Sequence, residues 1–105
     1  MIIELSDAEK HVIRHALGFQ RPSTRRAYRN NFSTSIGSAD DQLWQGLVER
    51  GLAVTWTTDY IPGNLYAVLE PAARVAKKRH EGFRDEVLEQ FKRMAASVAR
   101  RKVSA

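Results

Sequence analysis

Arginines and aromatic residues alternate in the segment 21–32, which has the most evident binding chemistry of this sequence. The segment has no acidic residue and four arginines, namely Arg21, Arg25, Arg26 and Arg29. A guanidinium binds phosphate or carboxylate through paired hydrogen bonds, and an aromatic ring can stack on a base. We therefore predict that this segment contacts an anionic partner. In the alternative interpretation, Tyr28 and Phe32 pack into the core and the arginines form an ordinary solvated surface.

A second basic cluster lies much later in the chain, at Lys77, Lys78 and Arg79. The sequence has 17 Lys and Arg against 12 Asp and Glu, which gives a net charge of +5 and a pI near 10.0. Between the two clusters, residues 33–70 contain five acidic residues and a single arginine. Basic surfaces attract nucleic acids and acidic proteins. We expect the second cluster to assist the first in binding nucleic acid or an acidic or nucleic-acid-handling protein.

Few residues of this sequence are suited to catalysis or to metal binding. There is no cysteine, which excludes thiolate zinc sites, disulfides and cysteine nucleophiles. His11 and His15 are four residues apart and could share a zinc ion, but Val12 stands where a metalloprotease has its glutamate. A third ligand could come only from His80 or a carboxylate, so we interpret both as surface histidines. We expect no catalytic residue, no metal and no cofactor, and hence a protein that is not an enzyme.

The compartment is predicted from what the sequence lacks. No apolar run approaches the roughly 18–20 residues that a membrane span needs. The first residues, MIIELSDAEK, turn acidic too early for a signal peptide. We expect a cytoplasmic protein with no membrane partner.

Capping signals mark the first two predicted helices. Ser6 with Glu9 forms a capping box before a helix over 7–17, and Gly18 can end it in the left-handed conformation. Ser38 caps a second helix over about 39–50. β-Branched and aromatic residues then predict two strands around the Pro62-Gly63 turn, which together form a hairpin. The predicted core consists of Val12, Ile13, Leu17, Leu43, Leu47, Val48, Leu52, Val54, Tyr66 and Val68.

The last predicted element is helical and begins at Pro71, a residue suited to the first helical turn. A continuous helix over 72–101 and a bend or break near His80–Gly82 are both compatible with the pattern. Beyond Gly82 an apolar band recurs at coiled-coil-like spacing. It predicts a possible homodimer through Phe83, Val87, Leu88, Phe91, Met94 and Val98. In the alternative interpretation, the band closes the core of a monomer.

The order helix, irregular segment, helix, hairpin, helix resembles that of winged-helix regulators. The local resemblance covers about residues 38–75, and the stretches that carry it are Leu47–Val54 and Tyr66–Arg74. It implies an α+β, winged-helix-like domain over 1–80, with an amphipathic, basic C-terminal helix over 81–105 as an extension of the same domain. The helix 39–50, which would read DNA, instead exposes three carboxylates beside two glutamines, and carboxylates repel phosphates. The exposed residues on it are predicted to be Asp40, Asp41, Gln42, Gln45 and Glu49.

Short segments also resemble small proteins of phages and prophages. They are His15–Gly18, Tyr28–Phe32 and Leu47–Leu52. The resemblance implies a mobile-element origin, and for a phage-encoded protein a location in the host cytoplasm, but no particular activity. We therefore expect a non-enzymatic binding protein. It would be either a nucleic-acid-binding regulator that uses basic patches outside the usual recognition helix, or a protein-binding inhibitor of a host system of the anti-defence, anti-CRISPR type.

Overall fold

A computed structural model describes the backbone of residues 2–104 and the side chains of residues 2–100. It has the α+β architecture that the sequence predicts, with helices packed around two small sheets. In chain order, the elements are α1 Asp7–Leu17, β1 Arg26–Ala27, β2 Phe32–Thr34, α2 Ala39–Glu49, β3 Ala53–Trp56, β4 Asn64–Val68, α3 Glu70–Ala76, β5 Gly82–Phe83 and α4 Asp85–Ser104. Within the described range, none of these helices is long and apolar enough to cross a membrane.

Helix α1 begins and ends at the predicted residues. The Ser6 hydroxyl accepts a hydrogen bond from the Glu9 backbone N–H at 3.1 Å, and the Glu9 carboxylate accepts one from the Ser6 N–H at 2.8 Å. The capping box is therefore confirmed. Gly18 ends the helix with a φ of 93°, and its N–H donates to carbonyls of the last turn. The buried face of α1 packs against α2 and α3.

The larger sheet has three antiparallel strands in the order β2-β4-β3. The β3–β4 hairpin is the predicted one. Strand β2 was not predicted, because the residues after Phe32 resemble a loop, yet Phe32 to Thr34 pair with Tyr66 to Asn64. Three residues are too few to display the alternation that identifies a strand in a sequence.

The smaller sheet consists of β1 and β5, which pair in parallel with Arg26 opposite Gly82 and Ala27 opposite Phe83. It interrupts the helical C-terminal region, because α3 ends at Ala76 and α4 begins at Asp85. Of the two alternatives compatible with the sequence, the break is therefore correct.

The core lies between the helices and the larger sheet. Seven of the ten predicted core residues are buried, whereas Leu43, Val48 and Val54 are only half-buried. Leu43 and Val48 lie on α2, and Val54 lies on the edge strand β3. The predicted extension contributes Val87 and Phe91 to the same core cluster as α1 and α2. Its last residue, Ala105, lies outside the described residues.

Candidate anion-binding face

Pairing of β1 with β5 joins the arginine segment to the beginning of α4. The carbonyl of Arg25 accepts a hydrogen bond from the Gly82 N–H, and that of Ala27 accepts one from the Arg84 N–H, both at 2.9 Å. Two stretches that are more than fifty residues apart in the sequence thus run side by side. As a consequence, Arg84 and the first turn of α4 lie next to the predicted binding segment.

A cavity of about 720 Å³ lies at this junction. Its lining combines cationic, hydroxyl, aromatic and acidic side chains, from Ser23, Thr24, Arg25, Arg26, Tyr28, Arg84, Asp85 and Glu86. The three arginines are exposed, and none of them forms an ion pair with any residue in the described part of the chain. Their hydrogen-bonding capacity is therefore available to a ligand.

The Tyr28 side chain is 45% exposed and forms part of the cavity lining, so the interpretation in which it packs into the core is wrong. Its ring lies against Gly18, where a Cβ atom would collide with it. The Arg29 guanidinium lies 5.5 Å from the ring centroid, within the range of a cation–π interaction. Phe32, in contrast, packs against the core as expected, with its ring 5.5 Å from that of Trp44. The two aromatic residues of the segment therefore have different roles.

The four arginines of the segment also differ in their surroundings. Arg21 is exposed and lies outside the cavity, whereas Arg25 and Arg26 line it. Arg29 is half-buried, and its Nη2 donates to the His15 carbonyl at 2.9 Å. Arg29 thereby adds a second donor to a carbonyl that also accepts from the Gly18 N–H, and its guanidinium contacts the Tyr28 ring.

The second basic cluster lies on the segment that leads into β5, and it does not line the cavity. Lys78 and Arg79 are exposed, and Lys77 is half-buried. This segment is fixed by the buried Glu81, whose Oε2 accepts from Arg14 Nη2 at 2.8 Å and whose Oε1 accepts from the Lys78 N–H.

The ionisation of Glu81 and Arg14 reflects this contact. Burial raises the pKa of Glu81, but the hydrogen bonds from Arg14 and from the Lys78 N–H outweigh it and bring the pKa below its ordinary value. The hydrogen bond to Glu81 raises the pKa of Arg14. The pair is thus charged, and it holds the second basic cluster against α1.

Three residues of the cavity were not predicted, namely Arg84, Asp85 and Glu86. In the sequence they resemble the start of a helix, because acidic residues are common in a first turn. Nothing in the sequence links them to the arginine segment, since two paired strands of two residues each leave no periodic pattern.

Helix α2 does not expose all of its predicted acidic residues, because Asp41 is turned inward and buried. The prediction that Asp41 is exposed is therefore wrong. Its Oδ1 accepts from Tyr66 Oη at 2.6 Å, from Asn64 Nδ2 at 3.0 Å and from Thr34 Oγ1 at 3.0 Å, and its Oδ2 accepts from the Gly37 N–H at 2.9 Å. The hydrogen bond from Tyr66, followed by those from Asn64 and Gly37, lowers the pKa of Asp41 well below its ordinary value.

Asp41 thus connects α2 to the larger sheet and is not part of a binding face. The rest of the exposed side of α2 is polar or acidic, with Asp40, Gln42, Gln45 and Glu49 facing solvent. No lysine or arginine lies within this helix.

The histidines of α1 lie at the surface. His11 and His15 are both exposed, and the ring of His15 meets Phe32 edge-on at 5.2 Å between centroids. Among the described residues, no group of three or more His, Cys, Asp or Glu side chains is placed to hold a metal ion.

The residues predicted to form a dimer face the chain's own core to different degrees. Val87 and Phe91 are fully buried in it, and the Phe83 ring meets that of Phe91 edge-on at 5.2 Å. Leu88 and Met94 pack against the same cluster. Val98 is half-buried and lines a shallow, mostly apolar groove of about 380 Å³ between α4 and the start of α3.

Nothing matched this chain in comparisons with protein-family models, curated proteins and solved structures. The chemistry of the cavity and of its surroundings is therefore the basis on which a function is proposed.

Proposed function

We propose that this protein is a non-enzymatic regulator that binds nucleic acid through its basic surface. The observation that supports the proposal best is the β1–β5 pairing, which assembles Arg25, Arg26 and Arg84 around one cavity. Three guanidiniums without an ion-pair partner in the described chain are suited to phosphate oxygens. Arg21 and the cluster Lys77–Arg79 extend the basic surface around it. The proposed phage or mobile-element origin rests on sequence resemblance alone.

We propose a winged-helix-like fold that does not use the customary reading helix. Helix α1, helix α2 and the β3–β4 hairpin follow one another in winged-helix order, and β2 adds a third strand. In the described residues, however, α2 is preceded by β2 and not by a helix joined through a short turn, as a helix-turn-helix requires. Together with the exposed carboxylates of α2, this favours phosphate contacts from the cavity side of the molecule.

Fluorescence anisotropy with labelled DNA and RNA at several salt concentrations tests this proposal. The double variant Arg25→Ala/Arg26→Ala should bind more weakly, with unchanged melting temperature because both residues are exposed. For duplex DNA, each lost phosphate contact should reduce the slope of log affinity against log salt by about 0.9.

The matched control is Asp40→Asn/Glu49→Gln, which removes two exposed negative charges from α2 instead of two positive charges from the cavity. It should leave binding unchanged or strengthen it slightly. If the α2 variant lost binding and the arginine variant did not, the acidic helix would be the working face and the proposal would be wrong.

A second function, binding of a host protein, is favoured by the turn end of the larger sheet. Four large apolar residues in and around this turn are exposed and do not belong to the buried core, namely Ile36, Trp56, Tyr60 and Ile61. Tyr60 is 94% exposed and Ile36 is 76% exposed. Aromatic residues at the surface are enriched in protein interfaces. An inhibitor of a host system would use this surface, with or without the basic face.

A pull-down from host lysate with and without nuclease distinguishes the two functions. Capture that disappears after nuclease treatment supports nucleic-acid binding. Capture of a specific protein that persists with nuclease, and is lost in Trp56→Ala/Tyr60→Ala, supports the protein-binding function.

A further inference from the structure

We propose that the cavity at the β1–β5 junction holds one unpaired nucleotide of a single nucleic-acid strand, and that it favours bases with an amino group. This inference rests on the proposed function and narrows it to single strands and to a class of bases. The volume of the cavity, about 720 Å³, lies within the range of small-molecule pockets. The lining offers a separate group for each part of a nucleotide.

The phosphate would lie among the three arginines. Arg26 lies in β1 and Arg25 directly before it. Arg84 lies between the paired strand β5 and helix α4. Ser23 and Thr24 add hydroxyl groups to the same lining. The positive end of the α4 dipole adds to the attraction, although the guanidiniums are the main source of it.

The base would stack on Tyr28. The ring is held by Gly18 on one side and by the Arg29 guanidinium, yet 45% of the residue remains exposed. A ring that is already fixed loses little conformational entropy when a base stacks on it. In a duplex the faces of each base are covered by its neighbours, so only an unpaired base can make this contact.

The carboxylates of the lining explain the proposed base preference. Asp85 and Glu86 would repel a ligand that is anionic throughout, so the cavity does not suit a bare phosphate cluster. A carboxylate instead accepts hydrogen bonds from the amino group of cytosine, and adenine and guanine also have amino groups. Thymine and uracil have none.

The experiment measures anisotropy of labelled twelve-residue oligo(dC), oligo(dT) and a mixed duplex at pH 7.5 and one fixed salt concentration. We expect oligo(dC) to bind several-fold more tightly than oligo(dT), and both to bind more tightly than the duplex. The two pyrimidine strands are compared because their bases have similar size. Asp85→Ala/Glu86→Ala, which removes both acceptor groups, should remove the difference between them.

Tyr28→Ala should weaken binding of both single strands by about 5- to 150-fold, the range expected for loss of one stacked base. Its control is Tyr60→Ala, which removes the same side chain at the turn end of the larger sheet and should have no such effect. Circular dichroism melting checks that each variant is folded.

The possible failures are distinguishable. Equal binding of duplex and single strands, equal effects of Tyr28→Ala and Tyr60→Ala, or a cytosine preference that survives Asp85→Ala/Glu86→Ala would each overturn the nucleotide site and leave the basic face in place. Absence of binding to every DNA and RNA probe would overturn the proposed function itself.

Discussion

Asp41 forms the largest polar network of a single side chain in the described residues, because donors from β2, β4, α2 and the preceding loop all converge on it. Its lowered pKa means that the ionised form is the one these donors stabilise. Tyr66 is affected in the opposite sense, since burial and the hydrogen bond to Asp41 raise its pKa. The two groups therefore titrate far from neutral pH.

The first prediction concerns the variant Asp41→Asn, which keeps the size of the side chain but replaces one acceptor oxygen by an amide donor. At neutral pH its melting temperature should be several degrees lower than that of the wild type. The folded-state pKa of Asp41 lies below its ordinary value of about 3.9, so the contribution of its charge is lost as pH falls below that value.

The stability difference between wild type and Asp41→Asn should therefore narrow as pH falls below about 4. Thermal melts followed by circular dichroism between pH 2 and 7 measure it. Asp40→Asn, an exposed neighbour with the same change of charge, is the control and should have a small effect at every pH. Equal behaviour of the two variants would contradict the role assigned to Asp41.

A second prediction at this scale compares two glycines with similar backbone conformations. Gly18 has a φ of 93° and contacts Tyr28, whereas Gly37 has a φ of 82° and has open space around its Cα. Alanine in the left-handed region costs roughly 1–2 kcal/mol at either position. At position 18 the collision with the Tyr28 ring should add about 1–3 kcal/mol. Urea unfolding of Gly18→Ala and Gly37→Ala gives both values, and equal losses would exclude the steric contribution.

At the scale of elements, the segment between α3 and α4 depends on Glu81. The side chain of Glu81 is 4% exposed and that of Arg14 is 20% exposed, so removal of one charge leaves the other poorly solvated. Glu81→Gln should cost about 1–3 kcal/mol. It should also increase amide hydrogen exchange in residues 77–83, because the second basic cluster is then less firmly held against α1.

The control for this prediction is the ion pair between Arg74 and Glu70 on α3, which is about half exposed. Glu70→Gln should cost less than about 0.5 kcal/mol, as is usual for a surface pair four residues apart on a helix. Unchanged exchange in residues 77–83 of Glu81→Gln would mean that the β1–β5 pairing alone holds the segment.

At the scale of the whole molecule, the homodimer stays a prediction, but fewer of the predicted interface residues could contact a second copy. Val87 and Phe91 are buried in the chain's own core, so a second copy could meet only the later part of α4. The apolar groove lined by Val98 is the surface it would use. A buried charge there without a partner would be costly.

Light scattering at micromolar concentration tests the dimer and should give about twice the 11.9 kDa of the chain. Val98→Asp should return the mass to that of one chain. Ala96→Asp, which is exposed and does not line the groove, should leave the dimer intact. A wild-type mass of one chain would exclude the dimer at that concentration.

Much of the fold could be predicted from the sequence because the signals involved are local. The capping box of Ser6 and Glu9, the Ser38 cap and the Gly18 terminus each act within a few residues of themselves. The same is true of the turn at Pro62-Gly63. The bounds of α1, the beginning of α2 and the position of the hairpin follow from them. The apolar periodicity of the same segments identifies seven of the buried core residues, but not those that α3 and β1 contribute. Arg25 and Arg26 could be identified as candidate binding residues because the charge of a segment is visible in its own sequence.

Only the tertiary structure decided which distant residues meet. Arg84 lines the cavity because Gly82 and Ala27 take part in a parallel pairing whose two strands are more than fifty residues apart. Asp41 is buried because Tyr66 and Asn64 of β4 donate to it, whereas its position in the first turn of α2 is equally typical of an exposed acidic residue. In both cases the contact that stabilises the position is made with a partner remote in the sequence. The periodicity and propensity of the local segment therefore cannot indicate that contact.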